Sequence, residues 1–137
     1  MSILDIQVDR EWDKQAACRG MDSELFFPDE ELGEEPSDLV KQACASCPVK
    51  SDCLADAMSY ARRDDWGFFG GTTESDRGIL RRARAMRVPF DPEDLNLEAV
   101  ELDTRRAESK ARYRRSREAQ VEAKRAWRQR QKEKRGQ

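Results

Sequence analysis

The sequence predicts an all-α fold: a small four-helix domain followed by an extended basic C-terminal segment, helical or disordered. Three observations lead there. Apolar residues recur at three- and four-residue spacing through the first 87 residues, and no stretch alternates convincingly as a strand does. Gly20, Pro48 and a glycine-rich stretch at 67–71 punctuate those runs. Charge and hydrophobicity also divide at a single point. Residues 1–103 carry a formal balance of −12 and residues 104–137 one of +10, within a net −2 over 137 residues. Of 23 Leu, Ile, Val and Phe residues, only Val121 lies beyond residue 103.

Taken in order, Trp12 to Cys18 makes a short helix that Gly20 stops. Pro36-Ser37-Asp38 starts a second, in which Leu39, Val40, Ala43, Cys44 and Cys47 recur at helical spacing. Pro48 ends it and suits the first turn of the third. That helix carries Val49, Cys53, Leu54, Ala57, Met58 and Ala61 on one stripe. Trp66-Gly67-Phe68-Phe69-Gly70-Gly71 is a glycine-rich, aromatic turn. Thr73-Glu74-Ser75-Asp76 resembles a capping box with Asp in place of the usual Glu. The fourth helix has an apolar stripe of Ile79, Leu80, Ala83 and Met86, and a basic side of Arg77, Arg81, Arg82, Arg84 and Arg87. Those arginines suit a solvated face as well as nucleic-acid contact. Residues 88–103, with Pro89, Pro92 and six acids, read as a hinge between an acidic head, 1–87, and a basic tail, 104–137.

Composition excludes several functions. The chain has no histidine, so a Ser-His-Asp triad, a Cys-His nucleophile and His-ligated zinc are ruled out. No run of 18 apolar residues spans a membrane, and the acidic N-terminus is not a signal peptide; a cytoplasmic protein is expected. Charged residues make up 39%, against roughly 25% for an ordinary soluble protein, so the core is thin.

Four cysteines, Cys18, Cys44, Cys47 and Cys53, are spaced C-x25-C-x2-C-x5-C. Two disulfides would need an oxidising compartment. A four-thiolate zinc site is usually built from two close pairs, and only Cys44–Cys47 is such a pair. An iron–sulfur cluster tolerates unequal spacings because it is larger than one ion. Spacing alone leaves these alternatives open. A catalytic C-x-x-C pair is expected beside a βαβ pattern, which is not visible.

Trp12, Ala17-Cys18-Arg19-Gly20, Asp22, Leu25-Phe26-Phe27-Pro28, Cys44-x-x-Cys47-Pro48-Val49 and Cys53-Leu54 together resemble the WhiB-like (Wbl) regulators. Gly71-Thr72-Thr73-Glu74 and Arg77 continue the match, which covers roughly residues 10–87. The resemblance implies an actinobacterial or phage origin, a cluster-centred head and a [4Fe–4S] cluster on Cys18, Cys44, Cys47 and Cys53. It also implies a transcriptional role, redox or nitric-oxide responsive, through the C-terminal domain of the primary sigma factor in RNA polymerase holoenzyme. The expected sigma surface is Trp66, Gly67, Phe68, Phe69, Gly70 and Gly71, with Phe26 and Phe27 beside it. Core packing is the competing reading for these aromatics. Phe69 stands where the family turn carries tryptophan, which keeps an aromatic face and loses an N–H donor.

The tail holds 14 Lys and Arg and four acids. Its Ala119, Ala123, Ala126 and Trp127 form only a faint stripe, so a helix there would be marginal in isolation. It reads as a segment lying along the phosphates of promoter DNA, becoming helical as it binds; the bland reading is a solubilising tail. The candidate contacts are Arg105, Arg106, Lys110, Arg112, Arg114, Arg115, Arg117, Lys124, Arg125, Arg128 and Arg130. No base-reading fold is recognisable, so little sequence choice is expected. The chain is expected to be a monomer outside the polymerase complex, and not an enzyme. The alternatives are a cluster-free thiol–disulfide reductase and a zinc-binding interaction module.

Overall fold

A computed structural model describes residues 11–136. Among these residues the regular structure is helical, with an isolated bridge between Phe69 and Thr72 and no named strand. The α-helices are α1 (Asp38–Ala45), α2 (Lys50–Ser59), α3 (Glu74–Ala85) and α4 (Leu97–Arg135). The all-α fold is as the sequence predicts; the differences lie in helix bounds, in the expected hinge and in the tail.

Three helices start where a side chain supplies an acceptor for an orphan backbone N–H. Ser37 Oγ accepts from the Val40 N–H at 3.4 Å on α1. Asn96 Oδ1 accepts from Ala99 at 3.1 Å on α4. On α3, Thr73 Oγ1 accepts from Asp76 at 3.1 Å, and the Asp76 carboxylate accepts from Thr73 at 2.9 Å. That is the expected capping box, closed by Asp. α1 stops at Ala45, short of Cys47, because Pro48 disfavours helical conformation at the residue before it. The C-x-x-C pair therefore straddles a helix end. The expected helix over 12–18 is a 3-10 helix, Glu11–Gln15, followed by turns to Gly20. With none of its residues buried, nothing prolongs it.

Among the described residues, two small cores hold the domain. The first joins Leu54 and Met58 of α2, Leu80 and Ala83 of α3, and Val100 of α4. Val88, Phe90, Leu95 and Leu97 pack against it. The hinge expected at 88–103 is thus folded into the core, because its apolar residues supply burial that the short helices lack. The loop is tied to α2 as well: Ser51 Oγ donates to the Glu93 carboxylate, and Lys50 Nζ to the Glu93 carbonyl at 3.4 Å. The second core gathers Phe26, Val40, Cys44 and Phe68, with Cys18, Met21 and Phe69 beside them.

The tail departs furthest from expectation. α4 runs 39 residues without a break, starting inside the expected hinge. Val100 and Thr104 are buried, and the Arg82 guanidinium grips the Glu108 carboxylate at 3.0 and 2.7 Å. Helix nucleation is the costly step and propagation is cheap. Docking the first turns on α3 supplies the nucleus that the isolated segment lacks. Beyond Ala111, α4 stands almost wholly in solvent.

Candidate metal centre

Cys18 comes from the turn after the 3-10 helix Glu11–Gln15, Cys44 from the last turn of α1, Cys47 from the link to α2, and Cys53 from the first turn of α2. All four are free thiols, with Cys44 buried and the others half-buried. All four line one cavity of about 560 Å³, walled by Trp12, Phe26, Phe27, Val49, Phe68 and Phe69. Among the described residues, no group of three or more cysteines and acids is arranged to hold a single metal ion. Burial pushes the Cys53 thiol up to about 11 and raises that of Cys44, because apolar walls disfavour a thiolate. The sulfurs act on one another in the same direction. Two backbone N–H groups oppose them: Gly70 donates to Cys53 and Gly71 to Cys44.

The turn that aims those donors is a tight hairpin. Phe69 and Thr72 exchange backbone hydrogen bonds at 3.0 Å each, with Gly70 and Gly71 between them at φ +61° and +75°. Positive φ at both central positions is the requirement of a type I′ turn. Gly70 is fixed by contact too, since a Cβ there would lie 2.7 Å from Leu54 Cβ and 2.8 Å from Leu54 N. The turn thus sits directly on the α2 backbone beside Cys53. On its other side, the Phe68 N–H donates to the Phe26 carbonyl at 2.6 Å.

Arg77 secures this arrangement, and the sequence reading misplaced it. Expected on a solvated or nucleic-acid-facing side of the helix, it is fully buried. Its Nη1 donates to the Thr72 carbonyl at 2.8 Å, its Nη2 to the Gly67 carbonyl at 2.6 Å, and its Nε to Asp65 at 2.9 Å. Arg81 reaches the same carboxylate at 2.6 Å. Asp65 was missed altogether. The available signal was phase, because Arg77 lies three residues before Leu80, on the buried stripe.

The expected sigma surface is divided by burial. Phe26, Phe68 and Gly70 are inside. Phe69 is half-buried, stacked on Phe26 with ring centroids 6.2 Å apart and meeting Phe27 edge-on at 5.6 Å. Trp66 and Phe27 are exposed, at 65% and 53%. The expected DNA contacts from Arg105 to Arg130 are all exposed; Arg105, Arg106 and Lys110 lie on the docked turns of α4 and the others on its free part.

A family model described as "Transcription factor WhiB" matches residues 12–80. The chain belongs to the WhiB family. It is 43% identical over 79 residues to the transcriptional regulator WhiD of Streptomyces coelicolor, covering 54% of this chain and 69% of that protein. It is 38% identical over 81 residues to the "Redox- and pH-responsive transcriptional regulator WhiB3" of Mycobacterium tuberculosis, covering 56% and 78%. WhiB1 of Mycobacterium tuberculosis, also named a transcriptional regulator, is 36% identical over 77 residues, covering 55% and 89%. As a WhiB-family transcriptional regulator, the chain carries its cysteines, glycine turn and Arg77 inside the matched span. The helix α4 lies outside it. Among the described residues, no helix is long and apolar enough to cross a membrane.

Proposed function

We propose that this WhiB-family regulator holds a [4Fe–4S] cluster on Cys18, Cys44, Cys47 and Cys53. In the same reading it docks on the C-terminal domain of the primary sigma factor and contacts promoter DNA through α4. The observation that carries this reading is the meeting of four thiols, from four separate segments, on one apolar cavity. The donor set fits the group. Four thiolates with no histidine in the chain suit iron–sulfur chemistry, and the cavity is larger than one ion requires. The Gly70 and Gly71 N–H groups favour the thiolate forms of Cys53 and Cys44. Bound there, a cluster supplies one-electron chemistry and a cross-link between segments that share little buried surface.

The chain's own residues do the rest. Phe26, Phe68 and Phe69 wall the thiols with apolar surface, while Asp65 and Arg77 hold the turn in register. Trp66 and Phe27 offer exposed aromatic anchors on the cavity rim, the kind of side chain that dominates interface energy.

Anaerobic purification with iron and sulfide assays tests the cluster. Matching iron and sulfide with visible charge-transfer absorbance, abolished by any one Cys→Ala change, is the expected result. Stoichiometric zinc without iron overturns it. For sigma, Trp66→Ala leaves that absorbance intact and weakens copurification with the sigma domain; undiminished capture places the contact elsewhere.

A further inference from the structure

The fold turns a diffuse run of charge into a surface with sides. Once α4 is one helix, residues three and four apart share a face. Lys110, Arg114, Arg117, Lys124, Arg128, Lys132 and Arg135 then fall in a single file, all exposed, with Val121 filling the one gap. Their mean spacing is close to the roughly 3.6 residues of a helical turn, so the file runs straight along the axis. It contains no acid. The acids Glu108, Glu118, Glu122 and Glu133 instead follow the face of Thr104, the face that docks on α3 at the start of the helix. Arg112, Arg115, Arg130 and Lys134 lie off the file, toward or beside that acidic face.

We infer that this one face of α4, flanked by Arg106 and Arg125, is the phosphate-binding surface for duplex DNA, and that the basic residues off it, Arg112, Arg115, Arg130 and Lys134, contribute little. The inference rests on the DNA reading above and sharpens it. The file extends over 26 residues, about 39 Å at 1.5 Å per residue, close to one turn of duplex at roughly 34–36 Å. Seven cations along one line, broken once at Val121, complement a phosphate backbone, whereas the face with four acids is repelled by it. Docking on α3 fixes the helix at its base, so the head determines which way the file points.

Charge-matched variants of the full-length chain provide the test. One carries Lys110→Gln, Arg114→Gln, Arg117→Gln and Arg128→Gln; the other carries Arg112→Gln, Arg115→Gln, Arg130→Gln and Lys134→Gln. Each loses one Lys and three Arg, and Gln preserves helix propensity. Binding to a short fluorescent duplex is followed by anisotropy against salt, with circular dichroism confirming equal helicity. The first set should flatten the slope of log K against log salt by about 3–4, at roughly 0.9 per phosphate contact, and the second by less than about 1. Equal losses in both sets overturn the one-face assignment and leave the DNA reading standing, as binding by a diffuse polycation. No loss in either overturns both.

Discussion

Arg77 Nε lies 2.9 and 3.0 Å from the two carboxylate oxygens of Asp65, and both side chains are buried. The pair joins the start of the glycine turn to α3, and the two turn carbonyls accept the remaining Arg77 donors. Removing Asp65 leaves the buried Arg77 guanidinium without a counter-charge, and removing Arg77 leaves Asp65 to Arg81 alone and strips two turn carbonyls of their donor.

Asp65→Ala or Arg77→Met is therefore expected to cost about 3–5 kcal/mol. Urea unfolding at neutral pH measures the loss. Burial pushes the Asp65 carboxyl up, but hydrogen bonds from Arg77 and Arg81 outweigh that and hold it below its ordinary value. A depressed carboxylate contributes stability above its unfolded pKa, near 3.9, and loses it as pH falls through the folded value. The urea midpoint should thus decline below about pH 4, and Asp65→Asn should show less of that decline.

Gly70 and Gly71 share positive φ but differ in surroundings. A Cβ on Gly71 meets only the flexible Lys50 Cδ at 3.5 Å, while one on Gly70 strikes the α2 backbone at Leu54. Gly71→Ala should cost about 1–2 kcal/mol of backbone strain. Gly70→Ala should cost more and displace the N–H from Cys53. Thermal melts rank the two variants, and equal losses would contradict the close approach.

Truncation separates the docked part of α4 from its free part. A chain ending after Ala111 keeps Val100, Thr104 and the Arg82–Glu108 pair, and should melt close to the full-length chain. One ending after Leu95 loses Val100 from the first core and should unfold far more easily. Thermal melts followed by circular dichroism compare the two.

α3 ends in a Schellman motif, with Val88 N–H donating to Ala83 at 2.8 Å and Arg87 N–H to Arg84 at 3.1 Å. Its left-handed position is Arg87, at φ +57°, where glycine is usual. Arg87→Gly should stabilise the fold by up to about 1 kcal/mol, read from the urea midpoint. A destabilised variant would mean that the Arg87 side chain makes a stabilising contact of its own.

The α1, α2 and α3 helices and the Asp76 capping box were legible because short-range chemistry sets them: Ser37, Thr73 and Pro48 act on backbone groups within a few residues. The cysteines were legible as a set for a similar reason, since their spacing is a property of the chain. Arg77 was not, although its phase on the buried stripe was visible, because a charged side chain goes inside only when a specific partner waits there. That partner, Asp65, is 12 residues away and becomes its neighbour only through the turn.

By itself the sequence determined the all-α class, the thiol set, the glycine turn and the division of charge, each carried by residue types and their order. Tertiary structure alone decided that the hinge is core, that the glycine N–H groups meet Cys53 and Cys44, and that α4 is one helix with a basic file. The physical reason is common to all three. Each depends on burial or nucleation supplied by a distant segment, and a contact between distant segments has no signature in local sequence until the chain has closed on itself.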